Sequence, residues 1–167
     1  MDKRSSIAIA AAAALSAAAG LAYGPDVPDW SYAEYEFERN YAAAQAAGVL
    51  PQGGSRMRAS GGATARLGRY TGDFLACEAS ASVAGGRAGL GARGLWHWWG
   101  YEKFDPFFTF GAEGWFGGGA LGPCAGWGVF WHFDDNWSLR FDTSAMLGVA
   151  GERSMTYSVA AGVQYSF

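Results

Sequence analysis

Hydrophobic and polar positions alternate at a period of two over most of residues 57–167. Successive side chains of an extended chain point to opposite faces, so this period marks strands with one apolar and one polar face. The final segment, TYSVAAGVQYSF (156–167), sets Tyr157, Val159, Ala161, Val163, Tyr165 and Phe167 on one parity. Thr156, Ser158, Ala160, Gly162, Gln164 and Ser166 take the other. Turn-forming clusters at RYTGD (69–73), AGGR (84–87), GYEKFDP (100–106), GGGALGP (117–123), FDDNW (133–137) and GERS (151–154) divide the rest. They predict six further strands near 57–68, 73–84, 87–99, 106–116, 121–133 and 136–149.

The charged residues keep to one parity. Arg58, Ser60, Thr64 and Arg66 oppose Met57, Ala59, Ala63 and Leu67; Glu78, Ser80 and Ser82 oppose Leu75, Ala79, Ala81 and Val83. Arg87, Arg93 and His97 oppose Leu90, Trp96 and Trp98, while Thr109 and Glu113 oppose Phe108, Phe110 and Phe116. Ser138, Arg140, Asp142 and Ser144 oppose Trp137, Leu139, Phe141, Leu147 and Val149. Phe74, Leu95, Trp115, Phe130 and Met146 fall on the polar parity and Arg39 on the apolar one, as strand ends, bulges or register errors would.

An eighth strand is read at 29–41, where Glu34, Glu36 and Glu38 alternate with Ala33, Tyr35 and Phe37. The segment that follows, 42–56, then forms a long loop; its alanine run also suits a helix.

Composition decides which face meets what. Half of the 167 residues are hydrophobic and only 16% are charged, where a soluble surface needs roughly 25–35%. A soluble barrel with an apolar interior would need a charged exterior, which this chain cannot supply. After residue 22 no apolar run is long enough for a spanning helix. A closed β-barrel is the other way to satisfy backbone groups in lipid. The expected fold is therefore an eight-stranded antiparallel up-and-down transmembrane β-barrel, polar inside and apolar outside. A net charge of −3 excludes a basic nucleic-acid footprint.

Residues 1–22 are expected to be a cleavable signal peptide ahead of a 23–167 barrel domain. Lys3 and Arg4 form the positive start, Ile7–Ala19 the apolar run, and Ala19 or Ala22 the cleavage position. Its removal leaves 10 basic and 14 acidic residues, a net charge of −4.

Eight strands enclose a lumen that side chains just fill, so buried charges there must be paired. Six acids (Glu34, Glu36, Glu38, Glu78, Glu113, Asp142) meet five arginines (Arg58, Arg66, Arg87, Arg93, Arg140) in the expected network. Inward Gly62, Gly89, Gly91, Gly126 and Gly128 would leave room for the long charged side chains. Trp96, Trp98, Tyr101, Phe104, Phe108, Trp131, Phe133, Trp137, Tyr165 and Phe167 gather at the C-terminal end, as an interfacial girdle would. With that end periplasmic, the turns at 69–73, 100–106 and 133–137 are periplasmic and the 42–56 loop faces outward.

NWSLRFD (136–142) and the terminal AAGVQYSF resemble segments of the OmpA-like family of small outer-membrane barrels. The resemblance implies an outer-membrane location, contact with outer-membrane lipid, and recognition by the barrel-assembly machinery. Gly162, Tyr165 and Phe167 match the glycine, aromatic and final phenylalanine of that assembly signal, whereas Ala160 departs from it.

No chemistry stands out. His97 and His132 share the inward parity, but a strand separates theirs and spacing offers no third ligand, so no metal, cofactor or catalytic residue is assigned. Cys77 and Cys124 lie on non-adjacent strands, too far apart to bridge. A structural or surface-interacting barrel is expected. The alternatives are a lipid-modifying enzyme, or an adhesin whose 42–56 loop meets an extracellular ligand or host surface. Resemblance to lipid A deacylases or acyltransferases would imply a His/Ser site near the outer leaflet, opposite to where these histidines fall.

Overall fold

Each long strand lies antiparallel beside its sequence neighbours, and the first meets the last. The computed structural model describes residues 40–52, 58–72, 74–98, 103–116, 120–151 and 153–167. Its strands are β1 (Asn40–Gln52), β2 (Ser60–Gly72), β3 (Leu75–Ala84), β4 (Arg87–His97), β5 (Phe104–Trp115), β6 (Ala120–His132), β7 (Trp137–Leu147), the two-residue β8 (Ala150–Gly151) and β9 (Met155–Ser166). The order β5-β4-β3-β2-β1-β9-β7-β6 closes through β5–β6 pairing, making a barrel of eight long strands. Closure removes the unpaired edges that an open sheet of such apolar strands would expose.

The first strand corrects the sequence expectation. The eighth long strand is Asn40–Gln52, drawn largely from the segment expected to be a loop. Residues 29–39, with Glu34, Glu36, Glu38 and Arg39, lie outside the described residues, as do 53–57 and the expected signal peptide. Alanine favours helices in isolation, but here two neighbours supply a complete ladder. Tyr41 to Gln52 faces Ser166 to Met155, and Asn40 to Val49 faces Arg69 to Ser60. Tyr41, Ala43, Gln45 and Val49 turn inward and are buried, while Ala44 and Ala46 are exposed.

The other strands keep the expected parity with boundaries moved by a few residues. The turn expected at 69–73 shortens because β2 runs on to Gly72, with a register irregularity between Tyr70 and Gly72. β3 and β4 meet at Gly85 and Gly86, whose φ values of 57° and 74° fit the two-residue primed turn of a tight hairpin.

Inward glycines make room for aromatic rings at Gly68, Gly89 and Gly128, while Gly91 and Gly128 also lie against Glu113 and Asp142. A Cβ at Gly68 would fall 2.1–2.6 Å from atoms of the Tyr41 ring, one at Gly128 would be 2.4 Å from Phe107, and one at Gly89 would meet Trp115 at 3.0 Å. Three of these glycines thus make room for aromatic rings. Gly68→Ala is expected to destabilise the barrel by about 1–3 kcal/mol through overpacking. Urea unfolding should show Gly68→Ala combined with Tyr41→Ala costing less than the two single changes added.

Candidate functional site: the filled lumen and its two ends

The centre of the lumen is a network of paired charges. From β2, Arg66 donates to Glu78 Oε1 of β3 at 2.8 Å, to Asp142 Oδ1 of β7 at 2.9 Å, and to Gln45 Oε1 of β1 at 2.5 Å. From β7, Arg140 donates to Glu78 Oε2 at 2.7 Å, to Glu78 Oε1 at 3.1 Å, and to Asp142 Oδ2 at 2.8 Å. Tyr41 Oη donates to Glu78 at 3.0 Å, and Gln45 Nε2 to Asp142 at 2.9 Å. Two arginines and two carboxylates therefore balance, and neutral side chains occupy remaining lone pairs. A second pair, Arg93 with Glu113, lies nearby; Trp115 Nε1 donates to Glu113 at 2.8 Å and Arg93 to Ser144 at 3.2 Å.

Six of the eleven residues expected in the network are thus in it: Arg66, Glu78, Arg93, Glu113, Arg140 and Asp142. Arg58 is not; it precedes β2 and is exposed. Arg87 stands half-buried at the end opposite the C-terminus, beside the Gly85–Gly86 turn. Both sit where the wall ends; Arg58 points to the outside, while one guanidinium nitrogen of Arg87 is buried.

Above and below the charges lie two apolar clusters. Tyr41, Tyr70, Ala76, Leu95, Phe107 and Phe130 form one buried layer toward the C-terminal end. Val49, Ala84, Trp115, Ala120, Cys124 and Met146 form another toward the far end. Leu95, Trp115, Phe130 and Met146 are therefore lumen residues in register; Trp115 does stand at the end of β5, but none of the four is a register error. Phe74 lies in a turn and is exposed. The Arg140 guanidinium carbon sits 5.2 Å from the ring centroids of both Phe107 and Phe130, joining the charged and aromatic layers by cation–π contact. Cys77 is exposed on the outer wall and Cys124 is buried in the lumen, both as free thiols.

At the C-terminal mouth the two histidines do meet. Asp105 of β5, within a segment expected to be a turn, bonds His97 Nδ1 at 2.5 Å and lies 3.8 Å from His132 Nε2. Ser138 Oγ bonds His132 Nδ1 at 2.6 Å. The intervening strand thus links the histidines. The geometry suits a hydrogen-bonded plug: Ser138, Asp105 and His97 are all fully or nearly fully buried, and His132 is half-buried. No cluster of His, Cys, Asp and Glu among the described residues is arranged to hold a metal.

The outer wall reverses this chemistry. Leu67, Val83, Leu90, Phe110, Leu121, Leu139, Val163 and others are exposed. Trp96, Trp98, Phe108, Trp131, Phe133, Trp137, Tyr165 and Phe167 are exposed around the C-terminal end, several in ring contact. The final residue completes the wall: Phe167 and Asn40 exchange backbone hydrogen bonds of 2.8 and 2.9 Å. Gly162 is tight against β1, since a Cβ there would lie 2.0 Å from Ala44 O.

Comparison with family models and with characterised proteins gives no match. Solved structures do match. The outer membrane protein OprG from Pseudomonas aeruginosa aligns with a TM-score of 0.60 at 9% identity, over 79% of this chain and 97% of that one. Ail, the attachment invasion locus protein of Yersinia pestis, solved with the heparin analogue sucrose octasulfate, aligns at 0.54 and 8% identity, over 79% and 100%. A de novo designed transmembrane β-barrel aligns at 0.56 and 12% identity, over 76% and 95%. The fold is that of small outer-membrane barrels.

Proposed function

We propose that this chain is a small outer-membrane barrel with a sealed lumen, acting as a structural or surface-interacting element through its wall and rim. One observation carries this reading: Arg140 in the charged network and Leu95 and Phe130 in the apolar layer beside it are each fully buried, so the interior is filled by side chains. Support for the membrane location comes from the exposed apolar wall, which water would penalise and lipid accepts, and from the shared fold. In this reading the C-terminal aromatics act as an interfacial girdle at the periplasmic end. Kinship with the OmpA-like family rests on NWSLRFD and AAGVQYSF, and Gly162, Tyr165 and Phe167 serve as the address for barrel assembly.

Reconstituted in planar bilayers, the protein should insert without a stepwise conductance, whereas a steady open channel would refute the sealed lumen. The role is non-enzymatic in this reading. His97→Ala and His132→Ala should leave lipid A acylation unchanged, and an altered acyl pattern by mass spectrometry would instead favour the lipid-modifying enzyme. Attachment to an extracellular polyanion is the second reading, favoured by exposed Arg58 and Arg153 at the far rim and by the shared fold of Ail.

A further inference from the structure

The barrel wall opens at one place. Up to Leu147, β7 lies in register with β9, the last partner being Met155. Beyond it the chain leaves β9 and follows β6. Val149 N–H donates to Leu121 O at 2.9 Å, and Ala150–Gly151 pairs with Leu121 and Ala120. Gly148 N–H still donates to Ser154 O at 2.8 Å, tying the two sides together at the base of the split. Gly151 takes a φ of 79°, which lets the chain turn back toward β9.

The divergence leaves a notch of about 560 Å³, bordered by Gln52, Leu147, Val149, Arg153, Ser154 and Met155. That volume is within the range of roughly 300–1,000 Å³ typical of ligand sites. Its lining has two chemistries. Leu147, Val149 and Met155 are apolar and exposed, continuing the lipid-compatible wall to the rim. Arg153, at the rim, is exposed, and Gln52 is half-buried beside Met155. Ser154 is 5% exposed and its hydroxyl is closed off from the notch.

We infer that this notch seats one anionic membrane lipid, an inference that rests on the membrane reading above. The acyl chain lies on Leu147, Val149 and Met155, and the phosphate meets Arg153 with the Gln52 amide as a further donor. Each half fits its neighbourhood. A guanidinium at the border of an apolar wall is placed where lipid phosphates lie, and its planar fork pairs with phosphate oxygens. A soluble anion would gain from the arginine alone, whereas a phospholipid gains from both halves.

The test uses the full barrel in nanodiscs of phosphatidylcholine doped with phosphatidylglycerol, with lipids retained after mild extraction counted by native mass spectrometry. One phosphatidylglycerol per barrel should be retained over phosphatidylcholine by about fivefold, the factor expected from one arginine facing a membrane phosphate. Arg153→Gln should erase that preference, and Leu147→Asp should lower retention of both lipids. Excess inorganic phosphate should not displace the lipid. Equal retention of the two lipids, no effect of Arg153→Gln, or full displacement by inorganic phosphate would each overturn the site. Failure of the folded protein to enter nanodiscs at all would overturn the membrane reading beneath it, and so is distinguishable from failure of the site.

Discussion

Arg140→Met should destabilise the barrel by about 3–5 kcal/mol, the cost of leaving a buried carboxylate without its partner. Arg140 is fully buried and bonds both Glu78 oxygens and Asp142 while lying against Phe107 and Phe130. Methionine fills similar space but supplies neither charge nor donors. Glu78 would retain Arg66 and Tyr41 as partners, and two carboxylates would then share one guanidinium. Urea titration of the lipid-embedded protein, followed by loss of the SDS-resistant fast-migrating form, gives the readout. Adding Glu78→Gln to Arg140→Met restores the charge balance and should recover part of the loss. A double variant as unstable as the two single losses added would mean that the charges do not act as one network.

Ala92→Arg should cost about 2–4 kcal/mol in a bilayer, the range for a cation near the midplane of a transmembrane barrel. Ala92 lies midway along β4, between Ala79 and Ala112, and its side chain is exposed on the outer wall. On a water-facing surface the same change would be nearly neutral. Ala92→Leu, apolar and larger, should be tolerated, so comparing the two separates charge from size. The measurement is the shift in urea midpoint between the variants in the same lipid vesicles.

How far the fold was legible depended on what each segment offered. Alternation placed Arg66, Glu78, Arg93, Glu113, Arg140 and Asp142 inside because a charge stands out against an apolar wall. It gave no comparable signal for Tyr41 or Gln45, since a tyrosine or glutamine in a low-contrast segment suits either face. β1 was hidden for a related reason. YAAAQAAGVL carries little contrast between its parities, and alanine's helix preference points the wrong way until two neighbouring strands supply a ladder. Leu95 and Phe130 looked like errors under the assumption of a uniformly polar interior. A narrow lumen must be filled by volume as well as neutralised, and rings fill the space beside the charges. Asp105 went unnoticed as a link between His97 and His132 because GYEKFDP reads as a turn, yet β5 begins at Phe104. Arg58 shows the converse: a matching parity just outside a strand does not bring a side chain into the lumen.

The most direct test of the account is which side of the wall meets lipid. A nitroxide is attached through Ala92→Cys, in a background carrying Cys77→Ser and Cys124→Ser, and the folded barrel is placed in lipid vesicles. Its spin relaxation is then compared in the presence of oxygen, which partitions into hydrocarbon, and of a water-soluble nickel chelate. Strong relaxation by oxygen with little effect of the chelate is the predicted result. Relaxation dominated by the chelate would show that residue 92 faces water, and would contradict the assignment of an apolar wall around a charged lumen.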